Sequence, residues 1–327
     1  MNSFGRLFRV HIFGESHGKV VGINIDGCPP GIPIHSDDFV KDLDRRRAGD
    51  KGTTSRKEDD IPLIQSGVFN GFTTGTPINI VFNNKDTQSQ DYEEIRKFPR
   101  PGHADFVASK KFNGFEDYRG GGHFSGRLTV CLVAAGVIAK KVLSHHFINH
   151  KIEINSKLIS VAGNCDIEKG IQLAVEANDS VGGIVECVVD GLPVGLGEPF
   201  FDSVESLLSH AVFSIPAVRG IEFGLGFAAA KMFGSDHNDA FIDSQGRTKT
   251  NNSGGISGGL TNGNQLIYRI AVKPTSSTPQ KQDSLNIKND KIESFIVKGR
   301  HDLCIALRIP PVLESITAMV IADQLLI

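Results

Sequence analysis

The chain has 327 residues, 39% of them hydrophobic and 22% charged, with a formal net charge of −2. That describes a soluble globular protein long enough to bury a substantial core, with nothing global to draw it to nucleic acid. The longest apolar run, 130–139, is far short of a bilayer span, and the amino terminus lacks a signal-peptide pattern, so the cytoplasm is the expected compartment. Five scattered cysteines without a C-x-x-C pair speak against a disulfide framework and against a zinc site; no metal is expected.

Taken in order, the chain starts with short strands at 8–13 and 20–26, then the turn "GCPPGIP". Between these strands "GESHG" (14–18) sets Glu15, Ser16 and His17 between two glycines, where a plain hairpin would more usually carry Asn-Gly or Asp-Gly. "SDDFVKDLDRRR" (36–47) predicts a helix capped by Ser36, acidic at its start and basic at its end. The following basic run, Arg45 to Lys57, reads either as a solvated face or as a clamp for a polyanion. Strands are predicted at 62–69 and 77–84, and 98–106 ("FPRPGHADF") reads as irregular.

"LTVCLVAAGVIAKKVLSHHF" (128–147), apolar on all sides, predicts a buried helix with its basic end in water. Strands follow at 151–163 and 182–191, then a helix at 202–215 with Glu205 three residues after a capping Asp202. A strand at 266–274 precedes a polar, lysine-rich segment, 275–290, expected to be a mobile loop, and a last helix opens at Pro311. "GGHFSGRLT" (121–129) and "GGISGGLT" (254–261) share a skeleton, which chance in a glycine-rich chain or a duplicated half-domain would produce. The similar element order of the two halves favours duplication slightly. With no linker between the halves, residues 1–327 form one expected domain. Short strands with few long crossovers predict an α+β fold with antiparallel sheets.

Three glycine-rich stretches carry polar cargo: 14–18, 100–105 and 119–127. The last leads into the buried helix and could cradle a phosphate with backbone N–H groups; a plain loop is the commoner use of such a run. His17 and His103, each beside an acid, together with "GRHD" (299–302), suggest acid–base chemistry near neutral pH. A serine-hydrolase reading of Ser16–His17 fails, because adjacent extended residues point apart and the G-x-S-x-G elbow is missing.

The ordered blocks "FGESHG", "DGCPPGI", "DLDRRR", "SGVFNGFTTGTPI", "DYEEIRKFPRPGHAD", "DYRGGG", "VAAGVIAKK", "SGGISGG", "KPTSS" and "GRHD" resemble the chorismate synthases, from about residue 5 to near the carboxyl end. The resemblance implies a single-domain β-α-β sandwich, core helices between two antiparallel sheets. It implies a lyase of the shikimate pathway, in aromatic amino acid biosynthesis. The reaction is a 1,4-anti elimination of phosphate from 5-enolpyruvylshikimate-3-phosphate to give chorismate, dependent on reduced FMN without net redox change.

Carried over position by position, the resemblance makes His17 the acid for the leaving phosphate, and His103 the keeper of the flavin's protonation state. Ser16 with Asp302 forms a proton relay. Substrate-clamping positions fall on Arg46, Arg100, Arg127 and Arg300, with Lys51 standing in for a further basic residue. Flavin contacts fall on His123, Phe124, Ser125, Pro216, Ala217, Gly258, Lys273, Pro274, Thr275, Ser276, Ser277 and Arg300. "HFSGRLT" replaces the common "RSSARET", so His123 and Phe124 depart from the family pattern. The family is typically a homotetramer. Some members reduce their own flavin with NADPH, usually with extra insertions; this compact chain is expected to depend on an external flavin reductase. Two alternatives stand: a flavoprotein acting on another phosphorylated substrate, and a flavin- or phosphoester-binding protein without turnover.

Overall fold

The β-prone runs of the first eighty residues pair as one antiparallel sheet in the computed structural model, which describes residues 2–49, 51–54, 56, 58–86, 94–147, 151–297, 299 and 301–327. Its strands are β1 (Ser3–Phe4), β2 (Arg9–Gly14), β3 (Val20–Asp26), β4 (Leu63–Ser66) and β5 (Ile78–Asn83), in the order β1-β2-β3-β5-β4. Register sets Ile23 opposite Ile80 and Ile25 opposite Ile78, all fully buried. A slip of one residue would turn this apolar set to the other face.

A second antiparallel sheet is built from β6 (Glu153–Val161), β7 (Gly183–Asp190), β8 (Val218–Phe223) and β9 (Leu266–Val272), in the order β8-β9-β7-β6. The helices are α1 (Val40–Arg46), α2 (Asp105–Lys111), α3 (Thr129–His146), α4 (Ile167–Ala177), α5 (Val204–Val212) and α6 (Pro310–Leu326). The mixture of helices and antiparallel sheets is the expected α+β class.

Helix α3 packs against β3 and β5, α6 packs against β6 and β7, and the two helices pack on each other. Both are apolar all round and need cover on every side; every residue from 130 to 139 is buried. The segment Gly126–His146 is long and apolar enough to cross a membrane, yet 78% of its apolar window lies inside the protein. Gly136 sets the spacing, because any side chain there would run into Ser315 of α6. One apolar core contains residues of both sheets and both central helices.

Two buried acids tie distant chain together. Glu314 accepts from Arg45 at 2.7 Å and from the Ser156 N–H at 2.9 Å. Asp323 accepts from the backbone N–H groups of Arg6, Leu7 and Phe8 at 2.7–2.9 Å.

Several local expectations need correction. Residues 36–39 form a 3-10 turn, and the residue before it is His35, whose N–H donates to Asp38; Ser36 is not the cap. Helix α5 is capped by Ser203, whose hydroxyl accepts from the Ser206 N–H, while Asp202 pairs with Arg6 at 2.5 Å. The segment expected to be a loop at 275–290 contains the strand Gln282–Asn286, paired with Lys291–Phe295. Helices α2 and α4 were not foreseen. The two echoing segments differ in form: 121–129 makes 3-10 turns into α3, whereas Ile256–Ser257 and Leu260–Thr261 make a hairpin.

Candidate active site

The polar trio sits in the turn joining β2 to β3. Gly14 holds φ +93°, and a side chain there would strike the Val20 carbonyl, so this glycine is required. Gly18 has no positive φ, and the nearest atom to a methyl group there is Glu15 Oε2 at 3.2 Å; its need is weaker than that of Gly14. The turn is fixed from outside: the Ser16 N–H donates to the Gly122 carbonyl, and Asn84 Nδ2 donates to the carbonyls of Glu15 and Gly18. Ser16 is fully buried and His17 is 9% exposed.

The glycine stretch 120–122 passes between two histidines from distant chain. All three residues have positive φ, open to glycine at no steric cost. A methyl group on Gly120 would come within 2.5 Å of the His17 ring and 2.8 Å of Ser16 Oγ; one on Gly121 would come within 3.3 Å of the His103 ring. His17 and His103 therefore face neighbouring residues of one ribbon.

The two rings are set up differently. Burial, then the charges of Arg56 and Arg119, lower the His17 pKa below 6.5. Burial lowers His103 too, opposed by its bond to Asp105 and assisted by Arg100. His103 Nδ1 lies 2.6 Å from Asp105 Oδ1. Against the cost of burial, Arg100 and His103 hold Asp105 well below the usual carboxylate range. Arg100 is fixed on both sides, donating to Asp105 at 2.8 Å and to Ser277 Oγ at 2.9 Å.

Of these groups Arg100, His103 and Gly120 border a cavity of about 780 Å³, toward the upper end of small-ligand sites. Arg46, Arg56, Arg100, Arg127, Arg219 and Arg308 all line it. Arg46 and Arg127 share one partner, Asp60: Arg46 Nη2 donates to Oδ2 at 2.6 Å and Arg127 Nη1 bonds Oδ1. Burial brings the Arg46 pKa down to about 10. Arg56 Nη1 donates to Ser16 Oγ at 2.9 Å, and its other nitrogens bond Glu58.

The lining also includes apolar surface (Phe124, Ile215, Pro216, Ala217) and the run Lys273–Ser277. Lys273 Nζ donates to the Gly102 carbonyl at 2.7 Å, and burial lowers its pKa, with Arg219 assisting. Two buried polar atoms on the lining, Thr275 Oγ1 and Arg46 Nε, have no partner. Orphaned polar atoms beside apolar surface and cations suit an amphipathic ring system carrying anionic groups.

Of the residues singled out from sequence, the cavity lining includes His103, Asp302, Arg46, Arg100, Arg127, His123 and Phe124. Ser125, Pro216, Ala217 and Lys273 to Ser277 line it as well. Ser16 and His17 abut it at Gly120. The structure sets two others apart. Lys51 is exposed and donates to Gln172 at 2.9 Å, drawn to α4 rather than inward. Gly258 lies at the tip of the 256–261 hairpin, outside the lining. Arg300 lies outside the described residues.

Asp302 accepts from the Thr54 N–H and faces Arg308 at 3.3 Å, so the partner seen on Ser16 Oγ is Arg56. His123 Nδ1 donates to the Gly14 carbonyl at 2.8 Å, which uses the imidazole to brace the 14–18 turn. Sequence reasoning missed Arg56, Asp60, Arg219 and Arg308 as cavity groups. The first two stood in view within the charged run 45–60; nothing local marked the others. Among the described residues no group of three or more His, Cys, Asp or Glu could hold a metal.

A cation-lined cavity beside a glycine ribbon that two imidazoles flank is the arrangement of an enzyme acting on a small molecule. Comparison with known proteins agrees. Residues 8–326 match the family described as chorismate synthase. A chorismate synthase of Chitinophaga pinensis is 65% identical over 327 residues, covering 100% of this chain and 97% of the relative. One of Thermococcus gammatolerans is 45% identical, covering 98% and 97%. A solved structure described as a crystal structure of chorismate synthase superposes with a TM-score of 0.74 at 25% identity, covering 99% of this chain and 93% of the other. The chain belongs to the chorismate synthase family, enzymes of a lyase step in the shikimate pathway.

Proposed function

We propose that this protein eliminates phosphate from 5-enolpyruvylshikimate-3-phosphate to give chorismate, with reduced FMN held in the 780 Å³ cavity. The observation that carries the reading is the convergence of His17 and His103 on the 120–122 ribbon, beside buried arginines. The wall of Phe124, Pro216, Ala217 and Lys273–Ser277 would hold the flavin, and the orphaned Thr275 hydroxyl would bond its polar edge. Reduced flavin, once held there, would supply electron density for phosphate departure and an acceptor for the hydrogen lost from carbon 6.

The chain's own residues do the rest. Arg46 and Arg127 meet the substrate's anionic groups in a low-dielectric site, where charge-assisted bonds are strong. Burial, helped by Arg56, lowers the His17 pKa and so favours the neutral ring in the free protein. The substrate phosphate, an opposite charge alongside, raises its pKa, so the imidazolium forms where a proton must be given to the leaving group. His103, oriented by Asp105, keeps a proton-exchanging group at the ring system. A relay from Ser16 to Asp302 would need bridging water or substrate, because the groups that bond them, the Arg56 guanidinium and the Thr54 backbone N–H, do not give up protons near neutral pH.

The two helices between the sheets are read as a single-domain sandwich covering 1–327, with an internal duplication as the origin of its two sheets. Exposed Phe200, Phe201, Phe227, Phe233 and Phe241, 78–91% accessible, favour self-association as a homotetramer. A cytoplasmic location and an external flavin reductase complete the proposal. The test is an anaerobic assay with chemically reduced FMN, following chorismate absorbance. Wild type turns over, and His17→Ala and His103→Ala lose on the order of a hundredfold or more while retaining flavin binding. A wild type that binds FMN and makes no chorismate refutes the proposal.

A further inference from the structure

We infer that Asp60 is a positioning residue whose single buried carboxylate aims two arginines, Arg46 and Arg127, at the anionic groups of the substrate. The side chains of Asp60, Arg46 and Arg127 are 1%, 3% and 4% exposed. Each carboxylate oxygen takes one guanidinium. The backbone at Asp60 stands at φ +50°, a conformation uncommon outside glycine, kept where surroundings over-determine it. The neighbouring Asp59 pairs with Lys85 at 2.6 Å on the exposed side, while the Asp60 carboxylate lies inward.

The charge count is the core of the argument. Two guanidiniums share one carboxylate, and Arg308, which donates to the Arg46 carbonyl at 2.9 Å, has its own partner in Asp302 at 3.3 Å. One negative charge holds the pair together without neutralising it. Both arginines line the cavity, so the residual positive charge faces it. Buried charge of one sign is costly unless an opposite charge offsets it. The triad is therefore built one charge short, and an anion in the cavity completes it. Removing Asp60 would leave the pocket more positive yet unaligned. Attraction for anions would persist while orientation was lost.

The inference rests on the proposed reaction, and the experiment separates the two. Wild type, Asp60→Asn and Asp60→Glu are compared in full-length protein for kcat and KM with reduced FMN, and for thermal midpoint with and without inorganic phosphate. A wild type that folds and binds FMN without turnover refutes the reaction, while the phosphate measurement still reports on Asp60. In folded Asp60→Asn, kcat falls on the order of a hundredfold, as for a misaimed group, while KM does not rise. Phosphate also raises its midpoint more than that of wild type. Asp60→Glu keeps the charge and regains part of kcat. Folded Asp60→Asn with wild-type kcat and KM, or with a phosphate response no larger than wild type, overturns the inference. Should Asp60→Asn not fold, Asp60→Glu decides: lowered kcat in a folded protein supports the assignment, and wild-type kinetics overturn it.

Discussion

His17 and His103 are two imidazoles brought to one ribbon and both held below their ordinary pKa, mainly by burial. In the free protein the His17 ring titrates below 6.5, and inorganic phosphate moves that titration upward, because an anion beside it favours the protonated form. Nuclear magnetic resonance of labelled histidine reads both steps; a His17 titration unmoved by saturating phosphate would separate this ring from the anion's seat. The residues of this centre were legible to unequal degrees. His17 and His103 stood out as polar groups set in glycine-rich loops. Arg308 did not, because its place depends on a bond to the Arg46 carbonyl across 262 residues of chain. Lys51 misled for the opposite reason: a basic residue in a basic run says nothing of where its long side chain finds an acceptor.

Helices α3 and α6 read plainly from sequence, since an all-apolar helix has one physical destination. Their contact turns on Gly136, where a side chain would collide with Ser315. Gly136→Val is expected to destabilise by about 3 kcal/mol, the upper part of the usual overpacking range, read as a lowered denaturant midpoint. An unchanged midpoint would mean that the helices can move apart freely. The 282–295 hairpin was illegible because its strand "QDSLN" lacks an apolar face. It is held by tertiary contact, with Phe295 stacked on Phe98 at 5.2 Å and Ile95 in the same small cluster. Helix α4 did leave a signal, Ile167, Ile171 and Ala174 at helical spacing, closed by Asn178 at φ +47°.

For the whole molecule, the two lowered histidines make stability depend on pH. The unfolded chain takes up protons at about 6.5, before the folded one does, so it binds more protons in the interval below that value. Stability therefore rises with pH across this interval and falls on acidification through it. Thermal midpoints measured between pH 7.5 and about pH 5 should decline, and the decline should shrink in a His17→Ala, His103→Ala double variant. An equal slope in that variant would assign the effect to other groups.

The carboxylate of Asp323 holds the N–H groups of residues 6 to 8, and α6 covers the second sheet. A nascent chain leaving the ribosome thus exposes residues 6–8, which lead into β2 and the 14–18 turn, some 315 residues before their anchor exists. Until then the first sheet has its own pairing and the cover of α3 but not this tie, and such long loop closure slows assembly. Chaperone capture of the unfinished chain should accordingly depend on the first sheet, and release should follow emergence of the last helix.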